Sequence, residues 1–231
     1  MIAGKRVRWR DCGLAALCLT ASVGQVPAAA DHDDWPDWVA EEETLRARIA
    51  AVNEGDLSFL EAAPAADLHH HSGRISISER SLRDGWVVMQ QCHDNLDQVT
   101  AAQIVFNPER SRKLSVVSQR NVGQAFTDRN TVQLRNIGPS SQVCISVETH
   151  ALRLADGDVF ELHNGPFMRR FLDGYYPLQL SLQIDYPVSL VLADFVPGRQ
   201  PGFDVSEQPG RIRVEALFEG QLRTRFRFLA R

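Results

Sequence analysis

Most of the short motifs by which a chain announces its chemistry are missing here. No serine sits in a G-x-S-x-G elbow, so a nucleophile-elbow hydrolase has no support. There is no H-E-x-x-H, no C-x-x-C pair, no phosphate-binding glycine loop and no dinucleotide fingerprint. A basic surplus is also lacking. The formal charge is −4 over 231 residues, which argues against general nucleic-acid binding, since that needs a basic footprint. No apolar run is long enough to cross a bilayer about 30 Å thick as a helix. Internal repeats and low-complexity tracts are absent, and cysteine is scarce, with four in all.

What is present begins with a leader. Lys5, Arg6, Arg8 and Arg10 make a basic start, interrupted by Asp11. The apolar run of residues 12–23 follows, and Ala28-Ala29-Ala30 offers an A-x-A cleavage site. This pattern reads as a secretory signal peptide over residues 1–30, with cleavage near Ala30. Leu17 precedes Cys18 where a bacterial lipoprotein site wants a small residue, so a lipid anchor is not expected. Cleavage takes away four basic groups and one acid, and −4 becomes −7 for the remaining 201 residues. The expected location is the periplasm or the medium.

Cys12 and Cys18 leave with the leader, and Cys92 and Cys144 remain. An even number of cysteines in an oxidising compartment predicts a Cys92–Cys144 disulfide. The rivals are two free thiols, or Cys92 as a metal ligand.

Residues 31–66 read as an N-terminal helix and linker. Pro36 suits a first helical turn, Asp37, Glu41, Glu42 and Glu43 oppose the positive end of the helix dipole, and Trp38, Leu45, Ile49 and Val52 recur at helical spacing. Asn53-Glu54-Gly55 supplies a stop, and residues 62–66 form a small-residue linker containing Pro64. The apolar stripe is expected to lie on the domain's own core.

From Arg74 onward the period shortens to two. Strands are predicted at 74–78, 85–93, 102–107, 113–118, 131–135, 142–152, 158–163, 178–186, 189–195, 211–218 and 222–229, separated by breakers such as Ile137-Gly138-Pro139, Asn164-Gly165-Pro166 and Pro197-Gly198. Many short strands without helical patterns between them predict an all-β domain over 67–231, an antiparallel β-sandwich of which the immunoglobulin-like arrangement is one form. In the last two strands Ile212, Val214, Ala216 and Phe218 alternate with arginines and Glu215. Leu222, Thr224, Phe226 and Phe228 alternate with Arg223, Arg225 and Arg227. Read as a hairpin with both apolar sets on one face, they need an odd loop, Glu219-Gly220-Gln221, which would set Glu215 opposite Arg225 and Arg213 opposite Arg227. The arginine stripe is then a solvated outer face rather than an anion-binding patch.

Two stretches could carry chemistry. Residues 67–97 hold His69, His70, His71, Cys92 and His93. In an extended segment His69 and His71 share a side, and with His93 they are the candidate ligands of a copper or zinc ion. Cys92 points away from His93 along a strand, so a site using both is disfavoured. Residues 165–177, GPFMRRFLDGYYP, set aromatics beside charge, and Arg169, Arg170, Asp173, Tyr175 and Tyr176 are the candidate binding residues there. Such a cluster suits an anionic or planar ligand or the centre of a protein interface, although Asp173-Gly174 is also an ordinary turn signal and Arg170 could simply pair with Asp173. No catalytic residue is assigned and no cofactor is required. The expectation is an exported, non-enzymatic binding or assembly-accessory protein of the bacterial envelope, with an envelope protein as its partner. The alternative is a periplasmic copper- or zinc-binding protein.

Overall fold

The computed structural model describes Thr44, residues 52–64 and residues 67–231. The expected leader, His32 and, Thr44 and Val52 apart, the helix expected from Pro36 to Val52 lie outside the described residues. Residues 48–231 form one compact unit. Among the described residues, no helix is long and apolar enough to cross a membrane.

That unit is built from strands, as the alternation requires. They are β1 (Ser58–Phe59), β2 (His70–Ser76), β3 (Trp86–Asp94), β4 (Ala101–Val105), β5 (Ser111–Asp128), β6 (Thr131–His150), β7 (Leu152–Leu154), β8 (Val159–Phe167), β9 (Arg169–Phe171), β10 (Gly174–Tyr176), β11 (Leu178–Asp185), β12 (Leu190–Val196), β13 (Phe203–Gln208), β14 (Arg211–Glu219) and β15 (Leu222–Ala230). One short helix, α1 (Ser81–Asp84), links β2 to β3. The large sheet runs β1-β14-β11-β2-β3-β6-β4, with β13 also on β14 and β5 also on β6. The small sheet runs β12-β15-β8-β7, and β9 and β10 form a two-stranded sheet of their own. Pairing is antiparallel except between β2 and β11, which run parallel. The result is a sandwich-like all-β fold, not a wholly antiparallel one.

Alternation explains which face is buried. Leu178, Leu180, Leu182 and Ile184 of β11 and Ile212, Val214, Ala216 and Phe218 of β14 meet Leu162, Leu222, Phe226 and Phe228 of the small sheet in the main core. A second core gathers Leu96, Val122, Val132, Leu134, Ile137, Val143 and Ile145 along the β5–β6 ribbon.

Several expectations need correction. The last two strands do not pair. β14 lies in the large sheet and β15 in the small one, so Glu215 does not face Arg225, nor Arg213 Arg227. Both apolar sets do face one core, but from opposite layers. Gly220, at φ +83°, makes the crossing; a side chain there would collide with the backbone of Asp56. The strands expected at 131–135 and 142–152 fuse into β6 through Ile137-Gly138-Pro139. Between the stretches paired with β4 and β3, the flank of β6 meets loop 95–100 through Asn136 and Ile137 amides, so Pro139's missing N–H breaks no ladder there. β13 occupies a stretch where no strand was predicted, with Phe203 and Val205 as its buried inward anchors. Residues 53–60 join the domain rather than merely linking to it: Asn53 bridges to Tyr175 and β1 pairs with the end of β14.

Candidate functional site

Three features place side chains with chemical potential. The first is the join of β2 and β3. β2 begins at His70, four residues earlier than the period-two pattern indicated, and its register sets His71 directly opposite His93 and Ser72 opposite Cys92. Parity then sends His71, His93 and Gln91 to the buried inner face. His69 follows on the same side, half-buried. The three imidazoles predicted as a group therefore do come together. His69 Nε2 lies 3.1 Å from His93 Nδ1, the His71 and His93 ring centroids are 4.5 Å apart, and Phe167 closes edge-on over His71 at 5.1 Å.

Their hydrogen bonding is that of neutral rings. Gln91 Nε2 lies 3.1 Å from His93 Nε2. With Gln91 donating, His93 donates from Nδ1 to His69 Nε2, and His69 holds its own proton on Nδ1. His69 Nδ1 and His71 Nε2 are both buried without a partner. Burial is the main force on all three. It lowers His69 to about 4, helped by the Arg169 guanidinium, lowers His71 to about 3, and holds His93 well below the usual imidazole value. Among the described residues, no group of three or more His, Cys, Asp or Glu side chains is arranged to hold a metal ion.

Cys92 points the other way, as parity demands, and forms a disulfide with Cys144 at the directly opposed position of β6. That pairing removes its thiolate from any ligand set.

The second feature is the β9–β10 hairpin, which turns at Leu172-Asp173, one residue before the expected Asp173-Gly174, with Gly174 already in β10 opposite Phe171. Arg169 anchors it. The guanidinium grips Asp97 through two hydrogen bonds, Nε at 3.0 Å from Oδ2 and Nη2 on Oδ1, and donates to the Pro177 carbonyl at 3.3 Å. It also lies 5.6 Å and 5.4 Å from the ring centroids of Phe171 and Tyr176. Arg170 instead stands over Tyr175 at 5.4 Å, and Asp173 accepts from the Tyr176 hydroxyl at 2.7 Å, so the Arg170–Asp173 pair considered from the sequence does not form. Tyr175 is tied to Gln221 at 3.0 Å. Arg169, Tyr175 and Tyr176 thus hold the hairpin in place. At its tip Leu172 is fully exposed, at 110%, beside exposed Arg170 and Met168.

The third feature was not legible in the sequence. On the outer face of the large sheet His70 Nε2 lies 2.9 Å from Ser181 Oγ, which donates to Glu215 Oε2 at 2.5 Å. The residues come from β2, β11 and β14 and are up to 145 positions apart in the chain. The parallel β2–β11 pairing brings them together, and no local pattern announces it. A shallow depression opens beside this chain of bonds, lined by residues of β3, β2, β11 and β14. The arginine stripe expected on one outer face is divided between the two sheets. Arg225 and Arg227 meet Glu161 and Asp194 on the small sheet, while Arg211 meets Asp185 at 2.8 Å on the large one.

No family model and no curated protein matches this chain. Among solved structures, it is similar to an M1 zinc metallopeptidase variant of Deinococcus radiodurans bound to a Tyr-Ser-Ala substrate, at 10% identity and a TM-score of 0.40, over 71% of this chain and 42% of that one. A two-domain M1 zinc metallopeptidase variant bound to L-tryptophan gives 8% identity and 0.39, over 77% and 44%. Legionella pneumophila aminopeptidase A in complex with aspartic acid gives 13% and 0.34, over 75% and 22%. The chain spans less than half the length of each of these proteins, and at these scores the likeness carries no functional argument.

Proposed function

We propose that this is an exported, non-enzymatic binding or assembly-accessory protein of the bacterial cell envelope, and that it meets a protein partner through the β9–β10 hairpin. One observation carries the reading: a braced hairpin that presents a fully exposed leucine at its tip. Leu172 and exposed Met168 put an apolar tip on a braced support, which suits insertion into a partner's pocket. The exposed Arg170 beside it favours an acidic rim on the partner. Export is supported by the leader pattern and by the disulfide, which persists in oxidising compartments.

Site-specific photocrosslinking in envelope fractions tests this. A crosslinker at position 172 is expected to give one discrete protein adduct, lost on Arg170→Glu, while the same group at Val188, at the opposite end of β11, gives none. Equal labelling from both positions, or none from 172, would sink the reading.

A second reading, a periplasmic copper- or zinc-binding protein using His69, His71 and His93, is supported by one observation: His71 Nε2 is buried with no partner beside two further imidazoles. Coordination by all three would have to break the His69–His93 hydrogen bond. Metal analysis of untagged protein decides; without stoichiometric copper or zinc this reading fails.

A further inference from the structure

The outer depression has an order that the burial pattern alone does not reveal. Register places its side chains in two rows across four strands. Cys92, Ser72, Ser181 and Glu215 stand in one row; Gln90, Arg74, Gln183 and Arg213 stand in the next. Neighbours within a row are about 4.8 Å apart and the rows are separated by two residues, about 6.7 Å. One row therefore offers hydroxyls and a carboxylate, the other amides and two guanidinium groups.

The groups of the depression differ in how they are paired. Nearby, Arg211 meets Asp185, and on the small sheet Arg225 and Arg227 meet Glu161 and Asp194. Inside the depression Arg213 has no ion pair and no hydrogen bond to any described residue, whereas Arg74 pairs with Asp185 at 3.6 Å. Ser72 and Gln90 are likewise without hydrogen-bonded side-chain partners among the described residues. Ser181 and Glu215, by contrast, are held in place by the bonds from His70 to Ser181 and from Ser181 to Glu215. Ser181 and Glu215 are thus fixed, Gln183 is held by Asp185, and Arg213, Ser72 and Gln90 remain available.

We infer that this depression binds a small, anionic, polyhydroxylated molecule of the uronic-acid kind. Its carboxylate would lie on Arg213 and Arg74, the geometry a guanidinium matches best, and its hydroxyls would donate to Glu215 and exchange hydrogen bonds with Ser72, Ser181 and Gln90. No aromatic ring lines the depression to stack on a sugar face, so binding is weak, in the millimolar range. The site is independent of the hairpin, and either reading can fail without the other.

Amide shifts of the folded, disulfide-intact chain, titrated with sodium D-glucuronate at constant ionic strength, test it. Saturable shifts are expected at residues 72–74, 181–183 and 213–215. D-glucose and sodium acetate, which each lack one half of the recognised chemistry, should bind at least about tenfold more weakly. Arg213→Ala should weaken glucuronate at least about tenfold and Glu215→Gln by less; both positions are exposed, so neither change threatens the fold. No saturable shift by about 50 mM glucuronate, an equal response to acetate, or an undiminished response in Arg213→Ala would each overturn the assignment.

Discussion

The two faces of the β2–β3 pair are one residue apart along each strand and solve opposite problems. On the inner face His71, His93 and Gln91 are buried among Phe167, Leu182 and Met89, and must find partners in one another or go without. On the outer face Ser72, Arg74 and Gln90 have water available, and Cys92 ties the pair to β6 through covalent chemistry instead of packing. The inside therefore forces neutrality on groups that would otherwise titrate, while the outside allows a guanidinium such as Arg213 to remain unpaired. Burial, not residue type, decides which polar groups stay available to a ligand.

The comparison can be broken most forcefully from outside. Replacing both Cys92 and Cys144 with Ser removes a cross-link spanning 52 positions. The chain-entropy model puts the loss at about 4 kcal/mol, to be read as a lower denaturant midpoint. An unchanged midpoint would mean that the ladder alone holds β3 to β6.

The inner face should respond to acid. His69 and His71 have values lowered from 6.5 to about 4 and about 3, so the folded chain keeps them neutral while the unfolded chain takes up protons below pH 6.5. Their contribution is complete above pH 6.5 and is lost as pH falls from there towards 4, with on the order of 3 kcal/mol gone for a single such histidine by pH 4. The clean window is pH 6.5 to 5, above most carboxylate titration. Denaturation there should show a falling midpoint in the native chain and a shallower fall in His71→Gln. A flat native profile would show that the rings are not desolvated as described.

The smallest effect belongs to the outer charges of the small sheet. Arg227→Ala breaks contacts with Glu161 and Asp194, yet these groups are partly exposed and screened. Less than about 1 kcal/mol is expected in thermal or chemical denaturation. A larger loss would bring the outer face closer to the inner in its dependence on partners.

How much of this was legible in the sequence varies with the range of the interaction. The alternation in β11 and β14 names the buried residues correctly because side-chain parity is a local property. The opposite orientations of Cys92 and His93 are local in the same sense, and the turn signal at Asp173-Gly174 found the β9–β10 hairpin to within one residue. The pairing of β14 and β15 was misread because adjacency in sequence suggests a hairpin, whereas both apolar faces are satisfied equally well by opposing layers. The start of β2 was missed because His69-His70-His71 has no hydrophobic alternation; its inner face is polar. Arg169's partner, Asp97, lies 72 positions away, and nothing near either residue foretells the contact.

By itself, then, the sequence determined the all-β class and the buried face of each clear strand, and, with residues 1–30 expected to be a leader, it pointed to Cys92 and Cys144 as the pair. It did so because parity, turn chemistry and composition act over a few residues. Tertiary structure alone decided which sheet each strand joined, which polar groups were desolvated into neutrality and which arginines were left without an acid. Those outcomes depend on register between strands distant in the chain, and a shift of one residue would exchange the two faces of β2 and β3.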